Sequence, residues 1–106
     1  LLDSITRLAR AYLAGGTLDG ATVWQPATVR QFTTVQDSAF SNRALGWETP
    51  TGGNSAGHLM TRPAFGHTGF TGTSIWIDPA HDLVAVLRWI DMAALDGFIA
   101  QVMAAL

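Results

Sequence analysis

Read from its N-terminus, the chain first places Ile5, Leu8, Ala9, Tyr12 and Leu13 at helical spacing. Asp3 or Ser4 stands where a cap is expected, and Gly15-Gly16 ends the run. "GGTLDGATVW" reads as a turn with a short extended piece. Pro26 suits the first turn of a second helix, "PATVRQFTTV", with Val29, Phe32 and Val35 on one face. Residues 36–43 are polar and loop-like, "ALGWE" (44–48) is a candidate short strand, and 49–63 read as a long loop.

The second half changes period. "AFGHTG" (64–69), "TSIWID" (73–78) and "LVAVLRWI" (83–90) are extended runs, separated by a glycine-containing turn and by "PAHD" (79–82). Three short runs joined by tight turns predict an antiparallel meander. Asp91 then caps a last helix, in which Met92, Leu95, Ile99, Val102, Met103 and Leu106 share one face. The fold class expected is α+β: an antiparallel β-meander with flanking helices, with no internal repeat and no linker.

Composition sharpens this picture. The 106 residues make one small domain, 48% are apolar and only 13% are charged. So small a domain has much surface to cover. Either some apolar surface is covered by something outside the chain, or the domain is compactly packed. The opening "LLDSITRLAR" begins abruptly in a helix and lacks the pattern of a signal peptide, which suggests a cut end. No apolar run reaches the ~18 residues of a membrane span. The net charge is −2 and there is no lysine, so the clustered cations of a nucleic-acid surface are missing. With no cysteine there is no disulfide and no thiolate nucleophile.

Candidate chemistry centres on "FGHTGFTG", residues 65–72. His67 is followed by a hydroxyl at Thr68, by a bare backbone at Gly69 where a ligand can approach, and by the Phe70 N–H, a possible oxyanion donor. The bland alternative is a polar strand edge with glycines at bulges. His58, His67 and His81 match no common zinc spacing, so no metal or other cofactor is expected. His81 is expected to be solvated in its turn, and His58 in its loop. Asp78 and Asp82 flank the same turn and read as turn chemistry. The four tryptophans read as core or groove wall. No serine lies in Gly-x-Ser-x-Gly, and Ser-x-x-Lys is impossible without lysine. An activated nucleophile is therefore missing.

Taken together, "LARAYLAGGTLDGATVWQPATVRQFTT", "LGWE", "FGHTGFTGTSIWIDPAHDLVAVL" and the terminal amphipathic helix resemble the C-terminal part of the serine β-lactamase-like superfamily. That group includes class C β-lactamases, DD-peptidases and related esterases. The resemblance implies that residues 1–106 are the C-terminal part of a β-lactamase/transpeptidase-like domain. It implies that His67, Thr68 and Gly69 form the His-Thr-Gly counterpart of Lys-Thr-Gly on an active-site strand. It further implies that the Phe70 N–H is one oxyanion donor, and that the chemistry is acyl transfer on a small ester or amide.

The nucleophile would then belong to a missing N-terminal portion, the expected partner, and this chain alone would be inactive. Tyr12, the only tyrosine, reads "YLA" within a helix and does not fit the family's Tyr-x-Asn element, and Leu87-Arg88-Trp89 departs from the family's strand end. Lysine is a nearly permanent cation and a free imidazole is not, which tilts the expectation toward an esterase. The alternative is a non-catalytic binding or interaction module of the same fold.

Overall fold

The structure, a computed structural model, describes residues 2–51, 56, 59–70, 72–87 and 92–106. His58, Trp89, the end of the last predicted strand and the Asp91 cap lie outside the described residues.

The first helix, α1, spans Leu2–Leu13. It therefore starts ahead of Asp3 and Ser4, which lie inside it and do not cap it; Asp3 instead places an acid in the first turn, where it favours the helix dipole. Ala9 and Ala11 are its buried residues, and Tyr12 and Leu13 pack against the same core, so the inward face is the expected one except for Leu8, which is exposed. Gly15 and Gly16 close the helix: Gly16 N–H donates to the Ala11 carbonyl and Gly15 N–H to that of Tyr12.

What reads as a turn with a short extended piece is a complete small hairpin. Strands β1 (Thr17–Leu18) and β2 (Ala21–Thr22) pair antiparallel. Asp19 and Gly20 between them both have positive φ, as a type I′ turn requires. Helix α2 covers Pro26–Thr33 and stops short of Val35. Of its predicted apolar face only Val29 is buried, and Phe32 is exposed.

The meander is present. Strands β3 (Phe65–Thr68), β4 (Ser74–Asp78) and β5 (Leu83–Leu87) form a three-stranded antiparallel sheet in the order β3-β4-β5. The register pairs His67 with Ile75 and Thr68 with Ser74, and then Trp76 with Ala85. The predicted strand at 44–48 contributes a single antiparallel bridge, Glu48 to Gly66, along the outer edge of β3.

Each face of the sheet has its own core, as the two-residue period of a strand dictates. On one face, Phe65 and Ile77 pack with Ala9, Ala44 and Trp47, and Tyr12, Ile75 and Val84 lie against them. On the other, Trp76 and Ala85 pack with Ala56, Met60, Ala64 and Ile99. Ile99 and Met103 belong to the last helix, α3 (Met92–Ala104), which covers that second face. Leu106 lies beyond the end of α3 and is exposed.

Trp76 is wholly buried, and replacing it with alanine is expected to cost about 4 kcal/mol. Its indole has a specific requirement: a methyl at Gly66 would lie far inside contact distance of the ring and of the Ile75 carbonyl. Gly66 is thus glycine because the Trp76 ring and the Ile75 carbonyl close on it.

Asp78 shows what the turn chemistry does. It is fully buried at the start of a short 3-10 turn, Pro79–His81, and its Oδ1 accepts from the Ala80 amide at 3.1 Å. The Thr61 hydroxyl also donates to Oδ1, and the Thr61 amide to Oδ2 at 3.2 Å. His81 Nδ1 lies 3.2 Å from Oδ2, so His81 is tied to the turn and not simply solvated. Burial pushes the carboxyl upward, but the two Thr61 bonds and His81 outweigh it, and the carboxyl is held below its ordinary value. Asp82 ends the turn in the left-handed region.

Candidate active site

Of the residues singled out in the sequence, His67, Thr68, Gly69 and Phe70 stand together at the turn of the β3–β4 hairpin. His67 and Thr68 are the last two residues of β3, and Gly69 and Phe70 begin the connection. The hairpin closes with Gly69 N–H donating to the Thr73 carbonyl at 2.8 Å, and Gly72 N–H to that of Gly69 at 3.1 Å. A methyl at Gly69 would collide with the Thr73 hydroxyl. The Thr73 hydroxyl would have to turn away to admit it, and glycine leaves the backbone uncovered. The Phe70 side chain is fully exposed, and its amide has no acceptor among the described residues.

A cavity of about 350 Å³ opens beside these residues. His67, Thr68, Gly69, Thr73 and Ser74 line it from the hairpin. Leu2 and Ile5 of α1, with Ile75, Val86 and Leu87, supply its apolar wall. The strand alternation puts His67 on the α1 face, in line with Phe65 and opposite Ile75. Apolar walls with a few polar groups at one end are the usual make-up of a small-molecule site. One of those groups, Ser74, is buried and its Oγ has no hydrogen-bond partner among the described residues.

Two charged residues that the sequence pattern does not single out complete the site. Arg43 Nη1 lies 3.4 Å from His67 Nε2, and Arg43 Nη2 donates to Glu48 Oε1 at 3.0 Å. Glu48 is held in place by its backbone, which exchanges two hydrogen bonds with Gly66 at 2.7 and 3.0 Å. "LGWE" therefore matters for more than its apolar residues: it anchors a carboxylate next to the His-Thr-Gly strand. Nothing in the spacing of Arg43, 24 residues before His67, announces the contact. It also changes one expectation. Histidine in place of lysine does not leave this end of the strand without a permanent cation, because the Arg43 guanidinium stands beside the ring.

Among the described residues no cluster of three His, Cys, Asp or Glu side chains is placed to hold a metal ion. No helix among them is long and apolar enough to cross a membrane.

An antiparallel sheet flanked on both faces by helices is the architecture of the β-lactamase and penicillin-binding-protein type of fold. Residues 2–90 match the Beta-lactamase family, and the chain belongs to it. The fold agrees with a crystal structure of a novel penicillin-binding protein homolog from Caulobacter crescentus, with a TM-score of 0.73 and 24% sequence identity. That match covers 97% of this chain and 31% of the other, so the present chain spans about a third of its solved relative. A search of curated proteins finds no significant match.

Proposed function

We propose that this chain is the C-terminal part of a serine hydrolase that acts on an ester or amide through an acyl-enzyme, and that it contributes the His67-Thr68-Gly69 strand. The observation that carries the reading is the meeting of three things at one end of the sheet. These are the His-Thr-Gly triplet, the Phe70 amide with no acceptor among the described residues, and the cavity of about 350 Å³ alongside. A serine oxygen supplied by the rest of the protein attacks the substrate carbonyl carbon. The negative charge that develops on the carbonyl oxygen is met by the Phe70 N–H and by the nucleophile's own amide. The tetrahedral adduct collapses, the alcohol or amine leaves with a proton, and water then hydrolyses the acyl-enzyme.

The nucleophile and its base have no counterpart among the described residues, and the chain is about a third as long as the solved relative. Both support a reading in which residues 1–106 hold half of the site and do not turn over substrate alone.

Intact-mass spectrometry after incubation with a serine-reactive phosphonate tests the proposal. A longer chain containing these residues should gain one adduct, and the 106-residue chain should gain none. A longer chain that folds and stays unlabelled would overturn the catalytic reading and favour a binding module of the same fold.

A further inference from the structure

We infer that Arg43, held by Glu48, is a positioning residue that keeps the His67 ring in a single tautomer, with the proton on Nδ1 and the lone pair on Nε2. His67 Nδ1 lies 2.6 Å from the Thr68 carbonyl oxygen, and His67 Nε2 lies 3.4 Å from Arg43 Nη1. A carbonyl oxygen only accepts, so Nδ1 carries the hydrogen. A guanidinium only donates, so Nε2 presents its lone pair. One tautomer satisfies both contacts, and it is the opposite of the Nε2–H form that free histidine favours.

The Thr68 contact spans a single residue and is open to His67 whatever its surroundings. Arg43 is what makes the other nitrogen an acceptor. It can do so because its second nitrogen donates to the buried Glu48 carboxylate at 3.0 Å, a charge-assisted bond that holds the guanidinium in place. Glu48 is in turn fixed by its backbone bridge to Gly66, the residue before His67. The ring is thus held from both sides by the strand it belongs to.

The consequence is a division of labour. Both ring nitrogens of His67 are engaged, so the imidazole offers the cavity neither a spare N–H nor a spare lone pair. The positive charge at this end of β3 belongs to Arg43. Hydrogen bonds to a ligand then come from hydroxyls and from the strand backbone. This inference rests on reading His67 as a site residue, but its test needs no activity.

The test is the long-range proton–nitrogen NMR correlation of the imidazole rings in the nitrogen-15-labelled chain. It is recorded at about pH 9, where a free imidazole is neutral, and three histidines keep it simple to assign. The wild type should show His67 with a protonated Nδ1 and an unprotonated Nε2. Arg43→Met should shift the tautomer ratio about tenfold toward Nε2–H, the scale of one charge-assisted hydrogen bond. Arg43→Lys, which still donates, should restore much of the original ratio. A wild-type ring already in the Nε2–H form would overturn the inference without any variant. So would an unchanged ratio in a folded Arg43→Met, which would assign the hold to Thr68 alone. Failure here leaves the acyl-transfer proposal standing, and an unlabelled serine leaves this one standing.

Discussion

Asp78→Asn is the substitution whose outcome the structure defines most closely. The wild-type carboxylate accepts four bonds, two at each oxygen. Asparagine keeps one acceptor oxygen, and the Ala80 amide claims it, because a backbone N–H cannot change its role. The new NH₂ group then faces the Thr61 N–H and His81 Nδ1. His81 can move its proton to the other nitrogen and accept, but the Thr61 amide cannot. One buried donor is left unpaired, and the remaining bonds lose their ionic character. Together these cost about 3 kcal/mol. Equilibrium urea unfolding followed by circular dichroism measures the loss as a lower midpoint at an unchanged slope.

The pH dependence supplies a second check. The folded carboxyl is held below its ordinary value, so its contribution is complete above the unfolded carboxyl's pKa of ~3.9 and is lost as pH falls through the folded one. The gap between wild type and Asp78→Asn should therefore be widest at neutral pH and close in acid. A variant within about 0.5 kcal/mol of wild type at neutral pH, or a gap that ignores acid, would refute the account.

Gly66→Ala should destabilise by about 3 kcal/mol, the upper end for overpacking, because the added methyl meets the Trp76 ring and a backbone carbonyl at once; thermal unfolding would show it. Ser74→Ala should be neutral or slightly stabilising in the same assay, since it removes a buried hydroxyl that has no partner among the described residues. A clear loss would mean that this hydroxyl is bonded in solution. Phe70→Ala should leave unfolding within about 0.5 kcal/mol of wild type, because the ring is fully exposed. Any effect of that change in an active form of the protein should appear in KM or kcat alone.

The meander could be read in the sequence because each strand is a β-branched or aromatic run between residues with turn chemistry. The three runs need only local rules to find them. The candidate triplet was legible for the same reason: His67-Thr68-Gly69 is contiguous. Arg43 was not, because it reaches His67 through a folded loop, and no periodicity relates positions so far apart. The 44–48 run looks like a strand and makes only one bridge, since Glu48 alone meets the edge of β3. The β1–β2 hairpin is hard to see in the sequence although Asp19-Gly20 favours a type I′ turn, because two-residue strands leave almost no alternation to detect. The start of α1 is not legible because Asp3 and Ser4 can both cap, yet the helix begins before them.

Trp76 gives this protein a gauge of its own. Its indole is wholly buried against Gly66, one residue from His67, and its Nε1–H has no acceptor among the described residues. Such a proton resonates apart from those of solvated indoles, and its frequency follows the ring currents and carbonyl dipoles around it. A ligand bound at the proposed site beside the His-Thr-Gly triplet, if it moves the edge strand, is expected to shift that one signal without any label. A titration of candidate esters and amides can therefore be read from a single proton inside the sheet, before any turnover is measured.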